Sequence, residues 1–98
     1  MVRLGIVYAA KARKDIDKLV RETALTWGRK QALVYTEQLE KALAHLRDYP
    51  ESGPPEPLLR KDRRIYHFAM HTIVYTVRGG DLYIARILHQ NMSLTKNT

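Results

Sequence analysis

An arginine interrupts an apolar run close to the C-terminal end of the chain, in the stretch "ARILHQNMS" at residues 85–93. Four side chains that can make further contacts come at the end of that run: His89, Gln90, Asn91 and Met92. The guanidinium of Arg86 suits two parallel hydrogen bonds to a carboxylate or a phosphate. An imidazole, whose unperturbed pKa is about 6.5, suits proton transfer near neutral pH. The stretch therefore contains candidates both for recognition and for acid–base catalysis.

The most densely basic run of the chain, "RKDRR" at residues 60–64, is the second candidate site. Its arginines are Arg60, Arg63 and Arg64. Such a run can bind nucleic acid or an acidic protein, and it can also be a solvated segment that leads into a strand. The formal net charge of +7 favours an acidic or polyanionic partner for the chain as a whole. We expect partner binding here, with direct contact to nucleic acid secondary.

No cofactor and no metal ion are expected from the sequence. The chain has no cysteine, which excludes thiol catalysis and cysteine-ligated zinc. His67 and His71 are four residues apart, but on strands and turns that spacing does not bring two imidazoles together as it does on a helix. A glycine-rich phosphate loop is absent as well.

The length of 98 residues and the hydrophobic content of 45% predict a single folded domain, residues 1–98. No run approaches the roughly 20 apolar residues that span a bilayer. Met1 to Ala10 lack the basic start and the long apolar stretch of a secretory signal. We therefore expect a cytoplasmic protein that does not contact membranes.

The elements that must position these candidates can be predicted from hydrophobic periodicity. Apolar residues recur at helical spacing from about Lys11 to Trp27 and from about Lys30 to Arg47. Gly28 between the two segments predicts an antiparallel helical hairpin, and Trp27 and Tyr35 fall on its inner, buried stripes. The proline-rich stretch at residues 50–57 predicts an extended surface connection.

Four segments have the alternation typical of strands: Val2 to Tyr8, Ile65 to Phe68, Thr72 to Arg78 and Leu82 to Leu88. The order of elements predicts an α+β domain in which the helical hairpin packs on one side of an antiparallel sheet. Gly79 and Gly80 predict a two-residue hairpin loop between the last two strands. That loop sets the pairs Arg78 with Asp81, Val77 with Leu82, Tyr75 with Ile84, and Ile73 with Arg86.

This register predicts on which face of the sheet each candidate side chain lies. It places Leu88 and Arg86 on the side of the helices, and Ile87 and His89 on the opposite side. Arg86 and His89 then point away from each other, unless a β-bulge intervenes. A tight catalytic pair made of these two residues is disfavoured.

Five stretches, taken in order, resemble the ParE branch of the ParE/RelE toxin superfamily. They are YAAKA at residues 8–12 leading into Asp15-Ile16, TWG at 26–28, YPESG at 49–53, HTIVY at 71–75 and RILHQNM at 86–92. Each stretch is weak by itself, but together they span nearly the whole chain in the order of the family. The pattern departs at Ser93, where the family usually has an aspartate, and at the turn Ala69-Met70, which usually contains a glycine.

The resemblance implies a RelE-like fold and a bacterial protein that inhibits DNA gyrase, arrests growth and is neutralised by a ParD-like antitoxin wrapped around it. On this interpretation the contacts to target and antitoxin come from the two candidate runs and from one histidine between them: Arg60, Arg63, Arg64, His71, Arg86, His89, Gln90, Asn91 and Met92.

The alternative is a ribosome-dependent mRNA endoribonuclease, the activity of the RelE branch. RNA cleavage by attack of a 2′-OH needs a base, an acid and cations that neutralise the developing phosphate charge. The candidates would be His89, Arg64 and Arg86, with Tyr66 or Tyr83 as an acid. Against this alternative stand the predicted opposite directions of Arg86 and His89, and the lack of the lysine-rich grip and C-terminal tyrosine typical of that branch.

Overall fold

The computed structural model describes residues 3–60 and 62–98. Its elements are β1 (Gly5–Tyr8), α1 (Ala10–Trp27), α2 (Arg29–Asp48), a 3₁₀ turn (Pro50–Ser52), β2 (Arg64–Phe68), β3 (His71–Arg78), β4 (Asp81–His89) and α3 (Leu94–Asn97). The predicted helices and strands are confirmed to within a few residues at their ends. Val2 of the first predicted strand and Lys61 of the basic run lie outside the described residues.

The two long helices form the predicted hairpin. Gly28 ends α1 and precedes α2 with a φ of 93°, and its N–H donates to the carbonyl of Ala24 at 2.9 Å. Only glycine reaches that left-handed conformation without steric cost, which is why the chain reverses here. The inner stripe of α2 is buried as predicted, at Ala32, Leu39, Ala42, Leu43 and Leu46.

Trp27 does not belong to the core, and this part of the prediction is wrong. Its side chain is 68% exposed, because it is the last residue of α1, where the chain turns away into α2. Tyr35, by contrast, packs against the core as expected. Helical periodicity predicted which face of α1 is apolar, but it could not show that the end of this face, at Trp27, extends beyond the sheet that covers the rest of it.

The strands form one sheet in the order β1-β4-β3-β2. The three C-terminal strands are antiparallel, as predicted, whereas β1 pairs with β4 in parallel, so that the sheet is mixed. The long connection through both helices and two strands permits this parallel pair, since parallel neighbours need a crossover of a dozen residues or more. The helical hairpin covers one face of the sheet.

A β-bulge at Ala85 changes the predicted register halfway along the last hairpin. The pairs next to the loop are confirmed, from Arg78 with Asp81 to Tyr75 with Ile84. Beyond them Val74 pairs with Arg86, and Ile73 pairs with Ile87, so the predicted pair of Ile73 with Arg86 is wrong. One extra residue in β4 exchanges the two faces for every residue that follows it.

The bulge decides which residues enter the core. Ile87 joins the cluster that packs beneath the helices, whereas Leu88 joins a smaller cluster on the opposite face with Val74 and Ile65. The assignments of Arg86, Ile87, Leu88 and His89 to faces of the sheet are therefore the reverse of those predicted. His89 now lies opposite His71, on the side of the helices.

Tyr75 fastens the proline-rich connection to the core. Its hydroxyl donates to the carbonyl of Pro50 at 2.6 Å and accepts the N–H of Gly53 at 2.9 Å. A Cβ atom at position 53 would lie 2.3 Å from the carbonyl oxygen of Ile65 and 2.6 Å from the Tyr75 hydroxyl. Glycine is thus required in the stretch YPESG because the backbone passes so close to the sheet.

Candidate functional site

Arg86 is bound to the first helix. Its Nε donates to Asp15 Oδ2 at 2.8 Å and its Nη2 to Oδ1 at 3.0 Å, and the two side chains are only 16% and 14% exposed. The backbone N–H of Ile87 donates to the same carboxylate at 3.0 Å. Hydrogen bonding to Asp15 raises the pKa of Arg86 above its usual value. The third side of the guanidinium, Nη1, donates to the carbonyl of Asn97 in α3.

His71 is half-buried between the helical hairpin and the tail. The hydroxyl of Tyr35 accepts the N–H of Met70 at 3.3 Å and is hydrogen-bonded to His71 Nδ1 at 2.5 Å. Burial lowers the pKa of His71, and the neighbouring His89 lowers it further, while Glu22 and Asp15 oppose the shift. A neutral His71 that accepts at Nδ1 therefore carries its proton at Nε2.

His89 lies beside His71 and holds the start of the tail. The two imidazole rings are 5.3 Å apart and nearly perpendicular, at 79°. His89 Nδ1 accepts the N–H of Asn91 at 3.2 Å, and the carbonyl of His89 accepts the N–H of Met92 at 2.9 Å. The N–H of Gln90 donates to the carbonyl of Met70 at 2.8 Å. Gln90, Asn91 and Met92 remain exposed on this framework.

Arg86 and His89 line one cleft, which we call the α1–β4 cleft, of about 340 Å³. Its walls come from one side of α1 and from the end of β4 with the tail: Asp15, Lys18, Leu19, Glu22, His71, Arg86, Ile87, His89, Asn91 and Met92. The register still places Arg86 and His89 on opposite faces of the sheet, as predicted, yet both side chains line this cleft. The bulge at Ala85 turns His89 toward the helices, and the long side chain of Arg86 reaches α1 past the end of β1.

A second cleft of about 390 Å³, the hairpin-tip cleft, lies next to the first. It is lined by Thr23, Trp27, Gln31, Tyr35, Met70 and His71. His71 belongs to both clefts. The exposed rings and thioethers at this end of the molecule, Trp27, Met70 and Met92, are the kind of side chains that anchor protein–protein contacts.

The basic run lies apart from these clefts. Arg64 Nη1 donates to the carbonyl of Gly53 at 2.8 Å and so supports the proline-rich connection. The guanidinium of Arg63 lies over the ring of Tyr83 at 5.6 Å. Arg60 is exposed. Of the three nuclease candidates, the structure brings together His89 and Arg86 but not Arg64.

Two important site residues were not singled out from the sequence as binding candidates. Asp15 enters the sequence analysis only through the first family stretch, and Tyr35 only as a core residue. A signal did exist for Asp15, since an arginine inside an apolar strand needs a buried partner. Spacing along the chain could not identify that partner, because the two residues are far apart in sequence.

Within residues 3–60 and 62–98, no group of three or more His, Asp or Glu side chains is placed to hold a metal ion. Among the helices of that same part of the chain, none combines the length and the apolar character that crossing a membrane requires.

Comparison with known proteins decides the family. Residues 6–94 match the family model of the ParE toxin of type II toxin-antitoxin systems, parDE. The chain belongs to the ParE toxin family. The resemblance seen in the five sequence stretches is thereby confirmed, and this ParE toxin is a component of a type II toxin–antitoxin system.

Two relatives have similar sequences over most of their length. Toxin ParE1 of Caulobacter vibrioides is 30% identical over 83 residues, which cover 85% of each chain. Toxin ParE1 of Mycobacterium tuberculosis is 32% identical over 72 residues, which cover 72% of this chain and 74% of the relative.

Two solved structures share the fold of this ParE toxin. The chromosomal ParDE toxin–antitoxin system of P. aeruginosa contains a chain that superposes with a TM-score of 0.74 at 18% identity, covering 89% of this chain and 96% of that one. The toxin–antitoxin complex RelBE2 of M. tuberculosis matches with a TM-score of 0.61 at 22% identity, covering 90% of this chain and 99% of the other. The RelE-like α+β fold is therefore confirmed.

Proposed function

We propose that this ParE toxin inhibits DNA gyrase by binding to it, without catalysing a reaction, and that a ParD-like antitoxin neutralises it. Membership in the ParE family over residues 6–94 is the observation that carries the proposal. The neighbouring solved structures are toxin–antitoxin complexes, which supports an antitoxin as partner. Because gyrase acts on bacterial DNA, the proposal places the toxin in the cytoplasm.

The state of the arginines favours binding over catalysis. A ribonuclease needs cations whose charge is available to the phosphate in the transition state. Arg86 is already paired with Asp15 and bonded to Asn97, and Arg64 is bonded to Gly53. These contacts make both arginines part of the scaffold.

We assign the contacts with antitoxin and target to the two clefts, the exposed tail and the basic run. An amphipathic antitoxin helix could place apolar side chains in the hairpin-tip cleft beside Trp27 and Met70, with acidic residues toward the basic surface. The α1–β4 cleft is lined by His71, His89, Asn91 and Met92. Gln90 is exposed in the tail beside it, and Arg60 is exposed on the basic run. The net charge of +7 favours an acidic segment as the occupant.

One observation favours the second candidate function, an mRNA endoribonuclease. His89 and Arg86 line one cleft, because the bulge turns His89 toward the helices while the long side chain of Arg86 reaches Asp15 on α1. A histidine base would therefore lie beside an arginine. The carboxylates of Asp15 and Glu22 on the same cleft would repel an RNA phosphate.

The deciding experiment compares two targets with one protein preparation. Purified toxin is titrated into a gyrase supercoiling assay, with toxin premixed with its cognate antitoxin as the control. We expect inhibition by toxin alone and full activity with the complex. In cells, induction without antitoxin should stop thymidine incorporation before amino-acid incorporation. If amino-acid incorporation stops first and supercoiling is unaffected, the nuclease function holds instead and His89→Gln should abolish it.

A further inference from the structure

A cavity of about 240 Å³ lies against the face of the sheet opposite the helical hairpin, and Arg86 separates it from the α1–β4 cleft; we call it the far-face cavity. Strands β3 and β4 form its floor at Val74 and Tyr83. The start of α1 forms one wall, Arg63 a second, and the end of α3 a third. It is a separate cavity from the α1–β4 cleft and the hairpin-tip cleft.

The far-face cavity is positively charged. Lys11, Arg63 and Arg86 line it, and none of its lining residues in the described chain has a carboxylate side chain. The charge of Arg86 is offset by Asp15. Lys11 and Arg63 form no ion pair among residues 3–60 and 62–98.

Arg63 contains an unused donor. Its Nη1 atom is buried and has no hydrogen-bond partner within the part of the chain that the structure describes. Burial lowers the pKa of Arg63, and the nearby Arg60 and Arg78 lower it further. Nη1 itself is closed off from solvent, so Arg63 contributes its charge to the cavity wall, and a bound anion would offset the cost of partly burying that charge.

The first turn of α1 adds donors to the same wall. Ala10 and Lys11 line the cavity, and their backbone N–H groups come too early in the helix to have acceptors within it. Ala9 provides no side-chain cap, and the first turn contains no acidic residue. The positive end of the helix dipole thus supplements the two side chains, although it would not define a site without them.

We propose that the far-face cavity binds a phosphate group. Its charge and donors come from Nζ of Lys11, the first N–H groups of α1 and the guanidinium of Arg63. Arg86 lines the same cavity but is already hydrogen-bonded to Asp15 and Asn97. A tetrahedral phosphate can accept hydrogen bonds from several directions at once, whereas a planar carboxylate presents only two oxygens. The test of this site requires neither gyrase nor the antitoxin.

Isothermal titration of the toxin with inorganic phosphate, at constant ionic strength, tests the proposal. We expect saturable binding that Arg63→Gln weakens by about tenfold or more and Lys11→Gln by about threefold. Lys41→Gln is the matched control, because it removes the same charge from an exposed position on α2 outside the cavity. In ¹H–¹⁵N spectra the amides of residues 10–12 should shift with phosphate. Lys11 is exposed, so its variant remains informative if Arg63→Gln is poorly folded.

Three results would overturn the proposal: no saturable phosphate binding, equal weakening by Lys41→Gln, or acetate binding as tightly as phosphate through Arg63. A parallel titration with a short oligothymidylate distinguishes the source of the phosphate. Tighter, Arg63-dependent binding of the oligonucleotide would identify a nucleic-acid backbone as the ligand, and binding of inorganic phosphate alone would identify a free phosphate. Both results support the site, and neither depends on the outcome of the gyrase assay.

Discussion

Arg86 of β4 and Asp15 of α1 form a bidentate ion pair across 71 positions of the chain, with contacts of 2.8 and 3.0 Å. The same carboxylate accepts the N–H of Ile87 at 3.0 Å. The carboxylate of Asp15 therefore binds both the side chain of Arg86 and the backbone of Ile87, just after the bulge. The pair holds the sheet against α1 at the cleft where His89 and the tail begin.

Arg86→Ala should destabilise the toxin by about 3 kcal/mol, since it leaves the carboxylate of Asp15 mostly buried without its partner. In urea unfolding, the double variant Asp15→Ala/Arg86→Ala should lose less than the sum of the two single variants, by at least about 1 kcal/mol. Strict additivity would show that the pair is not coupled. A loss of toxicity in Arg86→Ala has to be corrected for this loss of folded protein before it is assigned to target contact.

The register around Arg86 shows where prediction from sequence ended. The helices, the hairpin loop and the first pairs of β3 with β4 were predicted, because periodicity and the Gly79-Gly80 turn are local signals. The bulge at Ala85 has no such signal, yet it exchanges the faces of Ile87, Leu88 and His89. The family resemblance covered the whole chain, but the arrangement of the site depends on contacts between distant residues.

Stability should depend on pH through His71. Burial and His89 lower the pKa of His71 in the folded state, so the unfolded chain binds more protons just below its own pKa of about 6.5. The free energy of unfolding should therefore fall as pH decreases from about 6.5 toward the lowered folded value. Melting temperatures of the wild type from pH 7 to pH 5 should show this fall, and His71→Gln should flatten it. His67→Gln, at an exposed position, is the control and should keep the wild-type slope.

Ala69→Gly should stabilise the toxin by about 0.5 to 1 kcal/mol. Ala69 has a φ of 47° in the turn between β2 and β3, a conformation that costs alanine more than glycine. We expect the free energy gained from relief of this backbone strain to exceed the free energy lost to the greater conformational entropy of glycine in the unfolded chain. Ala44→Gly, the same chemical change within α2, should instead destabilise by about 1 kcal/mol. Equal effects of the two variants in thermal unfolding would rule out relief of backbone strain.

Gly53→Ala should destabilise by about 2 kcal/mol or more, because the new methyl group would collide with the Ile65 carbonyl and the Tyr75 hydroxyl. Tyr75 would lose its hold on the proline-rich connection, which should then become sensitive to proteolysis under native conditions. Ser52→Ala, next to it, removes only an exposed contact with His45 and should change stability by less than about 0.5 kcal/mol. A Gly53→Ala protein with wild-type stability and protease resistance would show that the close approach is not rigid.

Trp27→Ala should weaken antitoxin binding by about 30-fold while leaving the folded toxin as stable as the wild type. Trp27 is 68% exposed on the hairpin-tip cleft, so its removal should change the stability of the isolated toxin little. Exposed tryptophans of this kind, here beside Met70, often contribute a large share of the binding free energy of an interface. Leu58→Ala is the control, because Leu58 is 73% exposed but follows the proline-rich connection, outside the cleft. Titration of each variant with the purified cognate antitoxin, alongside thermal unfolding, separates affinity from stability. If Trp27→Ala and Leu58→Ala both bind like the wild type, the antitoxin does not use the hairpin-tip cleft, and the α1–β4 cleft becomes the remaining candidate for its helix.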